Sequence, residues 1–238
     1  MLLNALNSAV SGLEINKRRL QQSAHNLANV STPAYVPARI EQGDIATGGV
    51  RQIGSTYLLS GGLQITDRSL DLAINGGGFF VLNDPDYGQV YTRAGNFSVN
   101  QEGTLTDHAG RSVTPAINIP ANTSQLNIDS QGVWQSFDNK GNLLNQTQMQ
   151  TASFANTGGL LSLGGNNFVP TSASGPAILN PPGTAGHGDI ISGVLQASGT
   201  DLAREMVEQL VTQHSFEANI KTIQTVDQML GSILNIKA

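Results

Sequence analysis

The sequence contains no cysteine, which excludes disulfide bonds, thiolate metal ligands and a cysteine nucleophile. Charged residues make up only 12% of the 238 residues and aromatic residues only 5%. The formal net charge is -5 and there is no long basic run to follow a phosphate backbone, so we expect no nucleic-acid partner. Because no apolar run approaches the roughly 20 residues that span a bilayer, we expect no membrane insertion. The N-terminal stretch has no basic residues ahead of its apolar part, so we also expect no cleaved secretory signal.

Residues that could support catalysis or bind a metal are few and scattered. The histidines, none of which has a second ligand at the spacing of a metal site, are His25, His108, His187 and His214. The glycines at 76–78 are followed by Phe79 and Phe80 rather than by a helix, which favours a tight turn over a phosphate-binding loop. No serine lies in a nucleophile elbow. We therefore expect no catalytic residue, no metal and no cofactor, and the protein is predicted not to be an enzyme.

The N-terminal segment has the periodicity of a coiled-coil helix. Its apolar residues recur at alternating steps of three and four, and Lys17 is the one break in the series. The series consists of Leu3, Leu6, Val10, Leu13, Leu20, Ala24 and Leu27. The pattern fades at Asn29, and Pro33 prevents a smooth continuation of the helix.

The C-terminal segment predicts a second helix, from about Asp201 to about Ile236. Ser198, Thr200 or Asp201 can cap its N-terminus. Its apolar stripe is broader than that of the first helix, so it can cover more than one neighbour. The apolar positions that we expect to serve assembly are Leu202, Met206, Leu210, Ile220, Ile223, Leu230 and Leu234.

The middle of the chain has a different amino-acid composition. Residues 50–197 are rich in Gly, Asn, Ser and Thr, and short β-prone runs alternate with the turns NQEG, DHAG, DSQG and DNKG. The sequence therefore predicts an α+β fold in which the N- and C-terminal helices pair as a coiled-coil-like core domain with an inserted all-β domain. The expected segments are the N-terminal helix (1–35), an extended linker (36–65), the β-rich outer domain (66–197) and the C-terminal helix (198–238).

The stretch HNLANVSTPAY (25–35), with SAVSGL (8–13) upstream, resembles the N-terminal signature of the bacterial flagellar rod and hook family. The residues that fit the signature at the junction between helix and β domain are Asn26, Leu27, Ala28, Asn29, Thr32 and Tyr35. Ala34 stands where the family usually has Gly. If that position needs a positive φ, Ala costs about 1 kcal/mol there.

Three further segments carry the same resemblance. LDLAINGGGFFVL (70–82) is close to the family's central motif, through Leu70, Asp71, Gly76, Gly78, Phe79 and Phe80. YTRAGNFSVNQEGTLTDHAGRSV (91–113) resembles the hairpins that follow that motif. The C-terminal helix has Glu217, Ala218 and Asn219 in the family's shared core.

The resemblance implies a structural subunit of the bacterial flagellar basal-body rod, which spans the periplasm. It implies helical self-assembly into a tubular drive shaft and export channel, with the terminal helices inside and the β domains outside. The implied partners are further copies of the chain, other rod proteins, the hook protein, the surrounding ring proteins and the flagellar type III export apparatus. Export by that apparatus needs no cleaved signal peptide.

Several alternatives stay open on the sequence. The segment between Tyr35 and Leu70 is shorter than is usual in distal-rod proteins, which allows a proximal-rod protein, although TRAGNF (92–97) and the C-terminal helix favour the distal type. The hook protein normally has larger outer domains. A secreted β-rich adhesin with a helical stalk also fits the composition, but such a protein needs a signal peptide. A wall-remodelling enzyme lacks a recognisable catalytic constellation.

Overall fold

The computed structural model describes residues 2–45, 49–57 and 61–236. The chain divides into two compact units. The helical unit comprises residues 1–30, 37–59 and 200–238, and the β unit comprises residues 31–36 and 60–199.

The helical unit pairs the two ends of the chain, which confirms the predicted fold class. Helix α1 spans Leu2–Ala28 and helix α2 spans Leu202–Ile236. Helix α2 begins where expected because the Asp201 carboxylate accepts hydrogen bonds from the backbone N–H groups of Ala203 (3.0 Å) and Arg204 (3.2 Å).

Within the predicted extended linker (36–65), two of the described stretches are paired strands instead. Strands β1 (Ala38–Asp44) and β2 (Val50–Tyr57) form an antiparallel hairpin with Ala38 opposite Tyr57. The hairpin packs on α1, where the hydroxyl of Ser11 accepts a hydrogen bond from the Val50 N–H at 3.2 Å. The strands contain few apolar residues, so their pairing depends on a helix surface that the linear pattern does not reveal.

The β unit contains the other strands, which are short and mostly antiparallel neighbours. They are β3 (Leu63–Ile65), β4 (Leu72–Asn75), β5 (Phe79–Asp84), β6 (Gly88–Thr92), β7 (Ser98–Val99), β8 (Leu105–Thr106), β9 (Ser112–Val113), β10 (Gln125–Ile128), β11 (Val133–Phe137), β12 (Leu143–Gln148), β13 (Thr151–Ser153), β14 (Leu161–Gly164), β15 (Asn167–Val169), β16 (Ile178–Asn180), β17 (Asp189–Ser192) and β18 (Val194–Gln196).

Among the described residues, the largest sheet runs β14-β15-β6-β5-β9-β8-β7, with β13 paired to β5 and β16 paired to β13. A second sheet has the order β10-β11-β12, and two ribbons pair β17 with β4 and β18 with β3. The pairings of β17 and β18 bring the end of the β unit back to its beginning.

The core of the β unit is apolar and aromatic. Phe80 and Phe97 meet edge to face with ring centres 5.2 Å apart, and Trp134 is buried. The core residues are Leu72, Ile74, Phe80, Leu82, Val90, Phe97, Leu105, Val113, Ile117, Trp134, Met149 and Ile190.

The four predicted turns are all present. At each turn the Asn or Asp side chain accepts a backbone N–H within the turn, as Asn100 Oδ1 does from Thr104 (2.8 Å) and Asp107 Oδ1 from Arg111 (2.9 Å). The other two turn residues are Asp129 and Asp138. These side chains fix the hairpins locally, which is why the sequence reveals them.

Candidate functional site

The two terminal helices meet through small and polar residues. The hydroxyl of Ser23 donates to Glu205 Oε2 at 2.6 Å, and Arg19 forms an ion pair with Glu208. Ser23 faces Glu205, and one turn away Arg19 faces Glu208, so the residue numbers decrease along α1 as they increase along α2. The two helices are therefore antiparallel.

The contact continues to the other end of the pair. A Cβ atom on Gly12 would lie only 2.7 Å from Nδ2 of Asn219, so the absence of a side chain at Gly12 makes room for the Asn219 amide. These two residues belong to the SAVSGL motif and to the family's C-terminal core motif. The structure thus brings together two segments that the sequence could relate only through a resemblance.

The contact face has a heptad-like spacing of its own. The contacts join Gly12, Arg19, Ser23 and Asn26 of α1 to Glu205, Glu208 and Asn219 of α2. Steps of three and four residues place Ala9, Asn16, Thr212, Ser215 and Val226 on the same face, and all five are buried or half-buried. We call this face the polar seam. The leucine series therefore does not form the centre of the helix pair. This corrects the simplest interpretation of the periodicity.

The leucine series lies beside the polar seam. Of the residues predicted to serve assembly, Leu6, Leu13, Leu27, Ile220 and Ile223 are half-buried. The exposed ones are Val10, Leu20, Leu202, Met206, Leu210 and Leu230. Leu3 and Leu234 lie outside the residues whose side chains the structure describes. Much of the apolar surface of both helices is thus uncovered within one chain.

Asn26 is the most highly connected residue at the end of α1. Its Nδ2 donates to the Ala38 carbonyl (3.0 Å) and to Glu205 Oε1 (3.1 Å). Its Oδ1 accepts from the Ala38 N–H (3.3 Å) and from Gln22 Nε2 (3.1 Å). All four hydrogen-bonding positions of the amide are therefore used. This one side chain joins α1, the start of β1 and the first turn of α2.

Glu205 is the residue that sequence reasoning missed. It is buried, and its carboxylate is held by the Ser23 hydroxyl and the Asn26 amide. An acidic residue in the first turn of a helix is ordinarily read as favourable to the helix dipole. The sequence signal that could have identified Glu205 is that most of the residues around this carboxylate, over 202–211, are apolar. A buried carboxylate needs such donors to remain in a folded protein.

The other junction residues are divided between the two units. In the helical unit, Asn29 Nδ2 donates to the His25 carbonyl at 2.9 Å, which satisfies a carbonyl at the end of α1. In the β unit, Tyr35 is buried and its N–H donates to the Thr32 carbonyl at 3.2 Å. The Tyr35 carbonyl accepts from the Gly199 N–H at 2.9 Å. Tyr35 thus ties the entry of the β unit to its exit.

Ala34 adopts the left-handed backbone that the family's usual glycine suggests. Its φ is 54°, it is buried, and its N–H donates to the Gln196 carbonyl at 2.7 Å. The left-handed conformation costs about 1–2 kcal/mol for an L-residue. Burial of the methyl group returns about 0.8 kcal/mol. The remaining cost is about 1 kcal/mol or less, which is small beside the stability of a folded domain.

The central motif forms the tight turn that was predicted. Gly76 and Gly78 have φ values of 124° and 123°, which L-residues with side chains rarely adopt. Phe79 and Phe80 follow the turn into the core. Leu70 packs against the same core, and Asp71 is buried with an ion pair to Arg68 at 2.9 Å.

Arg93 supports this turn from beneath. Its Nη2 donates to the Gly76 carbonyl (2.7 Å) and its Nη1 to the Ile74 carbonyl (3.3 Å), while the guanidinium lies 5.5 Å from the centre of the Phe79 ring. Burial lowers the pKa of the Arg93 guanidinium to about 10. The residue remains charged at neutral pH and binds two backbone carbonyls of the turn and the strand before it.

His187 is the one histidine that lies buried among the described residues. Its Nδ1 lies 2.8 Å from the Thr151 hydroxyl and its Nε2 lies 3.4 Å from Asn180 Nδ2. Burial lowers the pKa of the His187 imidazole below its ordinary value of 6.5. The Thr151 hydroxyl also lies 3.3 Å from the Asn180 carbonyl, so the imidazole, the hydroxyl and the backbone of Asn180 form one polar cluster.

Among the described residues, no group of three or more His, Asp or Glu side chains is placed to hold a metal ion. Across the same residues, no helix is both long and apolar enough to cross a membrane.

Comparisons with known proteins agree with these features. The profile of the "Flagellar hook protein FlgE/F/G D1 domain" matches residues 73–135, and that of the "Flagellar basal body rod FlgEFG protein C-terminal" matches residues 191–236. The flagellar basal-body rod protein FlgG of Caulobacter vibrioides is 32% identical over 99% of this chain and 100% of its own length. FlgG of Bacillus subtilis is 33% identical over 99% of this chain and 100% of its own length. FlgG of Buchnera aphidicola subsp. Acyrthosiphon pisum is 34% identical over 94% of this chain and 95% of its own length.

These matches run from one end of the chain to the other. The relatives are structural proteins of the flagellar rod, so the prediction of a non-enzymatic protein is confirmed. The adhesin and wall-enzyme alternatives lose their support, because neither accounts for similarity over 99% of the chain.

Proposed function

Because the chain belongs to the family of flagellar basal-body rod proteins, we propose that it is a distal-rod subunit that assembles helically into the tubular drive shaft. The observation that supports this proposal is the unpaired apolar surface of the terminal helices. Val10, Met206 and Leu210 are each more than half exposed. Such surface is costly to leave in water and is normally covered by another subunit.

The division of the helix faces suits such a subunit. The polar seam closes α1 on α2 within one chain, and the apolar residues beside it are left for contacts between chains. We propose that the apolar series of both helices packs against other copies to form the inner tube. Helices that bury one face in their own chain and another against neighbours are typical of closely packed helical assemblies.

The position of a rod subunit between the basal body and the hook indicates which other proteins it contacts. We propose contacts with other rod proteins, with the hook protein and with the surrounding ring proteins. We also propose that the chain is exported by the flagellar type III apparatus without a cleaved signal peptide.

The distal position is favoured over the proximal one because the relatives named above are FlgG proteins. The alignment with the Caulobacter relative spans 262 positions, whereas this chain has 238 residues, so that relative contains stretches that this chain lacks. We propose that part of the difference falls in the short segment between Tyr35 and Leu70.

The test is electron microscopy of hook–basal bodies from a strain that lacks the gene. A distal-rod subunit predicts rods that stop at a constant height with no hook, and restoration by the wild-type gene. Rods that stop lower would indicate the proximal position, and intact rods with normal swimming would overturn the proposal.

A variant test addresses the apolar surface directly. Leu210→Asp places a charge on the exposed stripe and is expected to abolish restoration, whereas Thr222→Asp, at an exposed polar position on the side of α2 away from Met206 and Ile220, is expected to restore rods. Equal restoration by both variants would contradict the role of the apolar residues.

A further inference from the structure

The outward side of each terminal helix contains one apolar stretch that no charged side chain interrupts. Resting on the proposed self-assembly, we propose that the stretch on α1 of one copy packs antiparallel on the stretch on α2 of an adjacent copy. The partner is a second copy of this chain, displaced along the helix axis by about 20 Å. A contact of this kind, repeated from copy to copy, produces a rising series rather than a closed ring.

On α1 the stretch consists of Leu6, Val10 and Leu13, which follow one another at steps of four and three residues and therefore share one side of the helix. Val10 is 51% exposed, and the two leucines are half-buried. The hairpin of β1 and β2 contacts α1 at Ser11, about 100° around the helix from Val10, so it leaves this side uncovered. The next member of the apolar series is the charged Lys17, which ends the stretch.

On α2 the stretch consists of Ala203, Met206 and Leu210, which follow one another at steps of three and four residues. All three are exposed, Met206 by 54% and Leu210 by 58%. The charged residues of this segment lie on other sides of the helix, and two of them are bound in the polar seam. The next positions at the same spacing are Gln213 and Glu217, so the apolar side ends after Leu210.

Charge determines how far the two stretches overlap. Both have the same alternation of three- and four-residue steps, so an antiparallel contact matches them position by position. The matched pairs are Leu13 with Ala203, Val10 with Met206 and Leu6 with Leu210. Lys17 then lies four residues beyond one end of the contact, and Glu217 lies seven residues beyond the other. A longer overlap would press Lys17 against apolar side chains without a partner for its charge, and a shorter one would leave apolar surface in water.

This alignment also gives the displacement between the copies. Within one chain Glu205 contacts Ser23, so Met206 lies at about the height of that serine. Between copies Met206 lies against Val10, which precedes Ser23 by 13 residues. At a rise of about 1.5 Å per residue, the second copy is displaced by about 20 Å. Both copies keep one orientation, because the two helices are antiparallel within each chain and also across the contact.

The contact is short, which suits a polymer. It extends over about two helical turns, or about 11 Å, and cannot supply the roughly 800 Å² per partner that a stable dimer buries. In a tubular assembly several neighbours hold each copy, so a short contact needs only to select the alignment. Its apolar character then fixes the pairing without the burial of a charge.

Engineered cysteines test the alignment, since the chain has none of its own. Val10→Cys with Met206→Cys is expected to give disulfide-linked oligomers in isolated rods after mild oxidation. Leu6→Cys with Leu210→Cys is expected to do the same, and both pairs link only if the helices are antiparallel. A link within one chain is excluded because the paired positions lie about 20 Å apart along the helix axis, beyond the reach of a disulfide. Ala24→Cys with Met206→Cys is the matched control for copies at equal height and is expected to stay monomeric.

Charge substitution in the gene-deleted strain tests the pairing. Val10→Lys and Met206→Glu are each expected to lower the number of complete rods by about tenfold or more, because each puts an unpaired charge into an apolar contact that every copy repeats. The double variant brings opposite charges together and is expected to give at least about fivefold more rods than either single variant. Val10→Lys with Thr222→Glu is the matched control, since Thr222 is exposed on another side of α2, and it is expected not to restore rods.

The outcomes separate this inference from the proposed function. Intact rods in the deletion strain would overturn the proposed function and this inference with it. Rods that need the gene but tolerate both single variants would overturn only the contact between the two stretches. Cross-linking confined to the Ala24 pair, or a double variant no better than the single ones, would do the same.

The neighbour of Met206 can also be identified directly. A photo-crosslinking amino acid in place of Met206 is expected to link to α1 of another copy in isolated rods, and linkage to a different protein would overturn the inference. Circular dichroism on each purified variant is expected to show the helix content of the wild-type chain, because Val10 and Met206 are exposed.

Discussion

Replacement of Asn26 by alanine is expected to unfold the helical unit at a much lower denaturant concentration. The change removes a hydrogen bond to the buried Glu205 carboxylate, two bonds to the Ala38 backbone and one to Gln22. A bond to a charged group contributes about 1.5–3 kcal/mol and each neutral bond about 0.5–1.5 kcal/mol. Water can reach part of the site, because a cleft of about 310 Å³ borders Asn26 and Glu205. We therefore expect a loss of about 4 kcal/mol.

Two spectroscopic probes distinguish the two units. Trp134 is the single tryptophan and is buried in the β unit, so its fluorescence reports the unfolding of that unit. The circular dichroism at 222 nm reports mainly α1 and α2. With a urea m-value of about 2 kcal/mol per M, the helical transition is expected to shift by about 2 M. The Trp134 transition is expected to remain in place.

Two further variants make the argument refutable. Asn26→Asp keeps the shape but replaces the amide donor with a second carboxylate beside Glu205, so it is expected to destabilise at least as much as Asn26→Ala. Asn29→Ala removes one exposed bond from the same motif and is expected to cost less than about 1 kcal/mol. If Asn26→Asp lost less than about 1 kcal/mol, the orientation assigned to the amide would be wrong.

Three other predictions use Trp134 fluorescence in urea. Gly61→Ala puts a Cβ 1.9 Å from the Ala197 carbonyl oxygen and is expected to cost more than about 3 kcal/mol, whereas Gly62→Ala faces open space and is expected to change stability by less than about 0.5 kcal/mol. Ala34→Gly is expected to be neutral within about 1 kcal/mol, and Ala34→Val is expected to destabilise by about 2 kcal/mol or more, since a β-branched residue is strained at positive φ. The pKa of His187 is lower in the folded state, so the unfolded chain binds the extra proton. Stability is expected to fall as pH drops below about 6.5, with a flatter profile in His187→Gln.

The elements that the sequence predicts well are those with local causes. Helix α2 was placed within a residue of its observed start, because Asp201 caps it through its own neighbours. The turns at Asn100, Asp107, Asp129 and Asp138 were found for the same reason. Each depends on a side chain that bonds the backbone a few positions away, so a short window contains the whole interaction.

The features that were missed depend on distant partners. The hairpin of β1 and β2 has little apolar alternation of its own and gains its support from α1. Glu205 acquires its role only from Ser23 and Asn26, 182 and 179 positions earlier in the chain. The polar seam is similarly hidden, because Gly12 and Asn16 attract no notice beside a leucine series with regular spacing. Apolar periodicity identified the helices but not the face on which they pair.

The hydrogen bond between the Gly199 N–H and the Tyr35 carbonyl has a consequence for the order of folding. With the Ala34–Gln196 bond, it holds together the two points at which the chain leaves for α1 and α2. A β unit built from local hairpins can form first, and its closure then replaces a loop of more than 160 residues by a short connection between the two helices. The ends of a long chain thereby acquire a high effective concentration for one another, and the helix pair can form from segments that share few apolar contacts.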